Sequence, residues 1–280
     1  MIYREFAKTG FKSSVIGMGT YYDPWWMFIA SALRFRRGAR TKLEALKAGL
    51  EHGINLIDTA EAYQSEPIVA EAIRHYKRDE VFVATKVSYP WNFSSEGVVR
   101  ACERSLKRLQ TSYIDLYQIH YPPVFGRTKE VMKGMEKLLL DGKIRAIGVS
   151  NFSLSQMKEA ESALSRAEIS SNQVDYSLMH REPEKDLLPF CEANKKAVLA
   201  YFPLAHGRLA WLKGPVVNEM KARTGAASVA QIALNWLVSR SPSTFAIPRA
   251  SRPQRVLQNS QAMDFELSPV DMKALENLVG

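Results

Sequence analysis

The forty residues VFVATKVSYPWNFSSEGVVRACERSLKRLQTSYIDLYQIH (81–120) hold two apolar runs with a helical text between them. VFVATKV (81–87) and YIDLYQIH (113–120) are near-continuous and rich in β-branched and aromatic residues, as strands are. EGVVRACERSLKRL (96–109) carries its apolar residues at helical spacing. Strands that are apolar throughout belong in a sheet covered on both faces, so the unit reads as strand, helix, parallel strand.

The same alternation runs outward in both directions. SVIGMG (14–19), INLID (54–58), IRAIGVS (144–150), ISSNQVDY (169–176), AVLAYFP (197–203) and TFAIP (244–248) bring the strand candidates to eight. Further helical texts are LEALKAGLEHG (43–53), EPIVAEAIRHYKR (66–78) and EVMKGMEKLLLDG (130–142). Gly53 and Gly142 stand where helices should stop, and Ser153 in FSLSQ (152–156) offers an N-cap. No Pro/Gly/Ser-rich linker divides the chain, so residues 1–280 read as one domain. A doubly wound open sheet is the rival arrangement, but eight units in about 250 residues fit an α/β fold of the (β/α)8 TIM-barrel type better. REFAKTGFKSSVI (4–16) reads as an N-terminal β-hairpin, turning at Thr9-Gly10 and capping the barrel floor.

Composition narrows the function classes. With 46% hydrophobic and 24% charged residues the chain is ordinary globular material. The N-terminal text MIYREFAKTG has no apolar signal core. The apolar run WWMFIASAL (25–33) falls far short of the ~20 residues a membrane span needs. The two cysteines, Cys102 and Cys191, read as reduced, buried thiols of a cytoplasmic protein. The net charge is +9, yet there is no zinc spacing, RNA-recognition signature or basic tail, so neither nucleic acid nor membrane is expected as a partner. Oligomeric state is not legible.

In a (β/α)8 barrel the chemistry sits at the carboxyl ends of the strands. The second strand ends in Asp58, with Tyr63 one loop turn on. The third ends in Lys86, the fourth in His120, the fifth in Ser150 and Asn151. The sixth carries Gln173, the seventh Tyr201, and the eighth runs into Arg249. Singly each has a bland reading: Lys86 could merely pair with Asp58. Together they are harder to dismiss, because a buried charge costs several kcal/mol unless paired.

NLIDTAEAYQSE (55–66), VFVATKV, DLYQIHYP (115–122), GKIRAIGVSNF (142–152), NQVDYS (172–177), AYFPLAHGRL (200–209) and IPRASRPQRVLQN (247–259) together resemble the aldo-keto reductase family. The resemblance runs from GFKSSVIGMGT to FELSPVDMKAL, nearly the whole chain. It implies an NADPH-dependent oxidoreductase that transfers hydride to an aldehyde or ketone, with Asp58, Tyr63, Lys86 and His120 as catalytic tetrad. Charge developing on the carbonyl oxygen needs a proton, which Tyr63 would supply. Lys86 would lower the pKa of that phenol, Asp58 would hold the lysine, and His120 would orient the carbonyl as a neutral imidazole. No metal is expected.

The same resemblance implies the NADP contacts. Ser150, Asn151 and Gln173 match the group that binds the nicotinamide carboxamide, and Tyr201 the ring that stacks on it. Gly19, Thr20, Asp58, Phe202 and Leu204 are implied as further cofactor-binding residues. Arg249, Ser251 and Arg255 match the grip on the 2′-phosphate, with Gln258 and Asn259 near adenine. Arg249 stands where lysine is frequent, and Ala250 where a small hydroxyl residue is frequent. On the substrate side, Tyr121 and Trp91 follow the fourth and third strands. YYDPWWMFIASALRFRRGAR (21–40) is the first strand-to-helix loop, so Tyr22, Trp25 and Trp26 are expected to face the carbonyl compound. Arg34, Arg36, Arg37 and Arg40 either give the entrance a positive field or form a solvated face. Two rival functions stay open: a lysine barrel enzyme forming a Schiff base on Lys86, and a cofactor-sensing regulatory subunit with this fold.

Overall fold

The computed structural model describes residues 1–21, 38–88, 94–124, 126–249 and 251–279. The chain opens with an antiparallel hairpin, β1 (Tyr3–Glu5) and β2 (Lys12–Ser14), turning through Gly10 at φ +74°. Eight parallel strands follow in chain order: β3 (Met18–Gly19), β4 (Leu56–Asp58), β5 (Phe82–Val87), β6 (Ile114–Ile119), β7 (Ile144–Ser150), β8 (Ile169–Asp175), β9 (Ala197–Tyr201) and β10 (Thr244–Ala246). Bridges from Ile16 to Ala246 and from Gly19 to Arg249 join the first of these strands to the last. The sheet is thereby closed into a (β/α)8 barrel, as the alternation predicts.

Helices wrap the outside. The strands from β3 to β8 are followed in turn by α1 (Ala39–Glu51), α2 (Glu66–Ile73), α3 (Ser95–Leu109), α4 (Thr128–Leu140), α5 (Leu154–Ser162) and α6 (Leu187–Ala193). After β9 come α7 (Pro215–Thr224) and α8 (Val229–Ser239), and after β10 come α9 (Pro253–Ser260) and α10 (Pro269–Val279). Helix α3 shows why such segments are helical. Ser94 caps it by accepting the Gly97 N–H at 3.0 Å, and Val98, Ala101, Cys102, Ser105, Leu106 and Leu109 form one buried stripe. Ser153 caps α5 through a reciprocal pair with Gln156, again as predicted. Among the described residues no helix is long and apolar enough to cross a membrane. Cys102 and Cys191 are free and buried, which pushes both thiols up to about 12.

Two elements are shorter than their sequence suggests. Of SVIGMG only Met18–Gly19 enters the barrel sheet as strand, where Gly17 and Gly19 leave no room for side chains. A Cβ on Gly17 would lie 2.7 Å from the Leu56 side chain, and one on Gly19 2.9 Å from the Ile247 carbonyl. Helix α2 stops at Ile73, where its buried apolar face ends, although helical text continues to Arg78. The hairpin does cap the floor: the Phe6 ring lies 4.5 Å from Phe82 and 5.0 Å from Phe245, fully buried between two barrel strands.

Candidate active site

The carboxyl ends of the strands surround a cavity of about 480 Å³, a size suited to a small organic ligand. At its floor lies the pair Asp58–Lys86. Asp58 ends β4 and Lys86 is the last residue but one of β5, and alternation turns both side chains into the barrel. Lys86 is wholly buried, and its Nζ donates to Asp58 Oδ1 and Oδ2 at 2.8 Å each and to the Thr59 carbonyl at 2.9 Å. Those three bonds use all the donors an ammonium has. Burial pulls the Lys86 pKa below its usual value, and the Asp58 carboxylate opposes that pull. Asp58 Oδ1 also accepts from Gln173 Nε2 at 2.8 Å.

Tyr63 hangs over this pair from the 3-10 turn Glu61–Tyr63. Its hydroxyl lies 3.4 Å from His120 Nε2, and Lys86 Nζ lies 5.0 Å from the centre of its ring. Burial, then the Asp58 charge, hold the phenol well above its ordinary pKa. The lysine's own protons are committed to Asp58 and the Thr59 carbonyl, so the Lys86 ammonium meets the phenol across its ring and not through a hydrogen bond. Burial and the Lys86 charge pull the His120 pKa down to about 3, which favours the neutral imidazole.

One wall is a linked set of polar groups. Asn151, in the left-handed region at φ +63°, donates through Nδ2 to the His120 carbonyl at 2.9 Å and to Ser150 Oγ at 3.1 Å. Its Oδ1 accepts from the Tyr201 hydroxyl at 2.7 Å, and Ser150 Oγ donates to the Gln173 carbonyl at 2.9 Å. The aromatic rings of the lining form a second connected set. The Tyr21 ring meets Tyr63 and Phe202 edge-on at 5.2 and 5.9 Å, Phe202 meets Tyr201 at 5.0 Å, and Tyr121 stacks on His120 at 4.9 Å. Arg249 lines the rim beside Gly19.

Asp58, Tyr63, His120, Tyr121, Ser150, Asn151, Gln173, Tyr201, Phe202, Gly19 and Arg249 thus share one cavity, with Lys86 immediately beneath. Leu204 is not among its lining residues, and Thr20 faces away, donating to the Asp58 carbonyl at 3.0 Å. Ser251, Arg255, Gln258 and Asn259 are set apart on α9 and the segment leading to it. Tyr22, Trp25, Trp26, Trp91, Ala250, Arg34, Arg36 and Arg37 lie outside the described residues. Arg40 is exposed and pairs with Glu44 at 2.9 Å. Tyr21, Ala62, Ser88 and Ile247 line the cavity without having been anticipated. Tyr21 was legible: two residues past Gly19 in an extended segment, it returns to the same face. Lys42 is a further buried cation, donating to the Thr20 carbonyl at 2.6 Å, and burial and the neighbouring Arg249 pull it down to about 6.

Comparison with known proteins identifies the family. The profile of the Aldo/keto reductase family matches residues 36–279. The chain is 40% identical over 267 residues to methylglyoxal reductase YeaE of Escherichia coli (strain K12), covering 93% of this chain and 89% of that one. It is 37% identical over 241 residues to glyoxal reductase of Bacillus subtilis (strain 168), covering 84% and 82%. An aldo-keto reductase from Klebsiella pneumoniae, solved in complex with NADPH, superposes with a TM-score of 0.86 at 37% identity, covering 99% of this chain and 95% of that one. The chain belongs to the aldo/keto reductase family.

Proposed function

We propose that this chain is an NADPH-dependent reductase of small aldehydes and ketones, with Tyr63 as proton donor, His120 orienting the carbonyl, and Lys86 and Asp58 supporting Tyr63. One observation carries the reading: the Tyr63 hydroxyl and His120 Nε2 converge within 3.4 Å on the cavity, directly above a buried and fully paired lysine. The Schiff-base alternative loses ground on the same lysine, whose donors are all engaged.

The residues present suit the cofactor. Ser150, Asn151 and Gln173 offer hydroxyl and amide groups for a carboxamide, and Tyr201 with Phe202 an aromatic face for a flat ring. Gly19 keeps the seam free of a side chain where it borders the cavity. Beyond it Arg249, Ser251 and Arg255 would hold the 2′-phosphate, a site suited to guanidinium groups, and Gln258 and Asn259 would flank the adenine. When bound, the cofactor supplies a hydride.

The chain's own task is to manage the charge that develops on the carbonyl oxygen. His120, neutral at ordinary pH, donates one hydrogen bond to that oxygen without competing for the proton. Tyr63, held protonated by its surroundings, gives up its phenolic proton to that oxygen. The phenolate left behind is stabilised by the Lys86 ammonium beneath its ring, which Asp58 keeps charged and in place.

A cavity of about 480 Å³ that must also admit a nicotinamide ring leaves room for a small carbonyl compound. That, with the named activities of the methylglyoxal and glyoxal reductases, supports short 2-oxoaldehydes as the first substrates to try. The test is a panel of methylglyoxal, glyoxal and simple aldehydes with NADPH and NADH, followed by cofactor oxidation. Turnover with NADPH is expected; no NADPH oxidation with any carbonyl overturns the reading.

A further inference from the structure

We infer that Arg104 and Arg108 of α3, acting through Glu61 and Glu66, are positioning residues that set where the Tyr63 phenol lies. This rests on the reading of Tyr63 as proton donor. Tyr63 is bracketed in sequence by two carboxylates, Glu61 in its own turn and Glu66 at the start of α2. Arg104 and Arg108 stand one helical turn apart on α3 and grip both. Arg104 donates to Glu61 Oε1 from Nε at 3.2 Å and from Nη2 at 3.0 Å, and Arg108 Nη2 lies 3.6 Å from the same oxygen. Arg108 Nε donates to Glu66 Oε2 at 2.5 Å, and Glu66 Oε1 accepts from Thr85 Oγ1 at 2.7 Å.

Thr85 precedes Lys86 in β5, and alternation sends one side chain outward and the other inward. The ladder therefore runs behind the barrel wall from the turn that carries Tyr63 to the strand that carries Lys86. The carboxylates are the shielded members, Glu66 at 1% exposed and the Glu61 side chain at 16%, while Arg104 reaches Glu61 from the surface. Water screens the buried Glu66 contacts far less than those of an exposed pair.

The phenol needs this support because its own polar contact is weak. Among the described residues its hydroxyl makes one long hydrogen bond, 3.4 Å to His120, and the Lys86 donors point to Asp58 and Thr59. The ring is placed by the backbone turn beneath it, a single 3-10 turn that exits through Gln64 in the left-handed region at φ +55°. Facing the site, that turn is pinned by the Ala62 N–H on Ser88 Oγ at 3.2 Å. On the other side it is pinned by the Glu61 carboxylate. A shift of about 1 Å in a reacting group can slow a reaction by about a hundredfold.

The experiment compares Arg104→Ala and Glu61→Gln with the whole enzyme. Arg104 is the safer of the two arginines to remove, because its side chain is 48% exposed and Glu66 keeps Arg108. The readouts are the single-turnover rate of NADPH oxidation at saturating aldehyde, NADPH affinity, and thermal stability. Both variants should lose about tenfold or more in the single-turnover rate with NADPH affinity within about twofold, and Arg104→Lys should recover part of the loss. Arg181→Ala, which breaks a separate ion cluster on Glu184, supplies a control for destabilisation alone. An unchanged rate in both variants, or an equal loss in Arg181→Ala at matched stability, overturns the inference. Tyr63→Phe, run in parallel, separates the two failures. If it keeps a tenth of the activity, the reading of Tyr63 falls and takes the ladder with it. If it is inactive while Arg104→Ala and Glu61→Gln run at the wild-type rate, the ladder alone is wrong.

Discussion

Lys86 Nζ sits 2.8 Å from each carboxylate oxygen of Asp58, and neither side chain is more than 4% exposed. The pair is thus removed from water, where its desolvation is repaid only by this geometry and by the further bonds to Thr59 and Gln173. Breaking it from one side leaves a charge with no solvent to turn to.

Asp58→Asn is expected to lower the unfolding free energy by about 3–5 kcal/mol, and the double variant Asp58→Asn with Lys86→Met to recover most of that loss. Urea denaturation of the three proteins measures it. A double variant no more stable than the single one would mean that the loss did not come from a stranded lysine.

Tyr63→Phe removes one hydroxyl and little else. Carbonyl reduction should fall by several orders of magnitude while NADPH affinity stays within a few-fold. Steady-state kinetics with cofactor titration checks it, and a variant retaining a tenth of wild-type activity would remove Tyr63 from the proton-donor role.

Arg255→Ala should weaken NADPH much more than NADH, since only NADPH carries the 2′-phosphate. A charge-assisted hydrogen bond to that phosphate is worth roughly 1.5–3 kcal/mol, or about ten- to a hundredfold in affinity. Fluorescence titration with both cofactors decides; equal weakening would put Arg255 on another group.

His120 gives a pH dependence with a defined sign. Its folded pKa, about 3, lies below the ~6.5 of an unfolded histidine, so the unfolded state binds the extra proton. Its contribution is intact above about pH 6.5 and is lost as pH falls towards the folded value, at up to about 1.4 kcal/mol per pH unit. Between about pH 6.5 and 4, His120→Gln should show a shallower loss of stability than wild type. Parallel curves would mean that His120 titrates normally.

Much of this was legible in the chain itself. IRAIGVS became a strand over those same residues because every position but Arg145 is buried, so an apolar run was a sufficient signal. The strand-end rule likewise gathered Asp58, His120, Ser150, Gln173 and Tyr201 onto one cavity. It gave no sign that the first barrel strand would be two residues long, where Gly17 and Gly19 leave no room for side chains, and Tyr21 needed the alternation counted on from Gly19. The pairing of Lys86 with Asp58 was expected, whereas the lysine's third bond, to the Thr59 carbonyl, is a backbone contact that residue types do not encode. Nor does any pattern announce that Arg104 meets Glu61, 43 positions away on another element.

Phe6 touches Phe82 and Phe245, one made in the first third of translation and the other near its end. The nascent N-terminal hairpin therefore has half of its eventual surroundings early and the other half only when the last barrel strand has been made. Until then an apolar ring and an unclosed strand edge stay open to whatever is nearby, which is the condition under which long-range sheets are slow to form and prone to association. The residue that seals the floor is among the first synthesised and among the last to be covered.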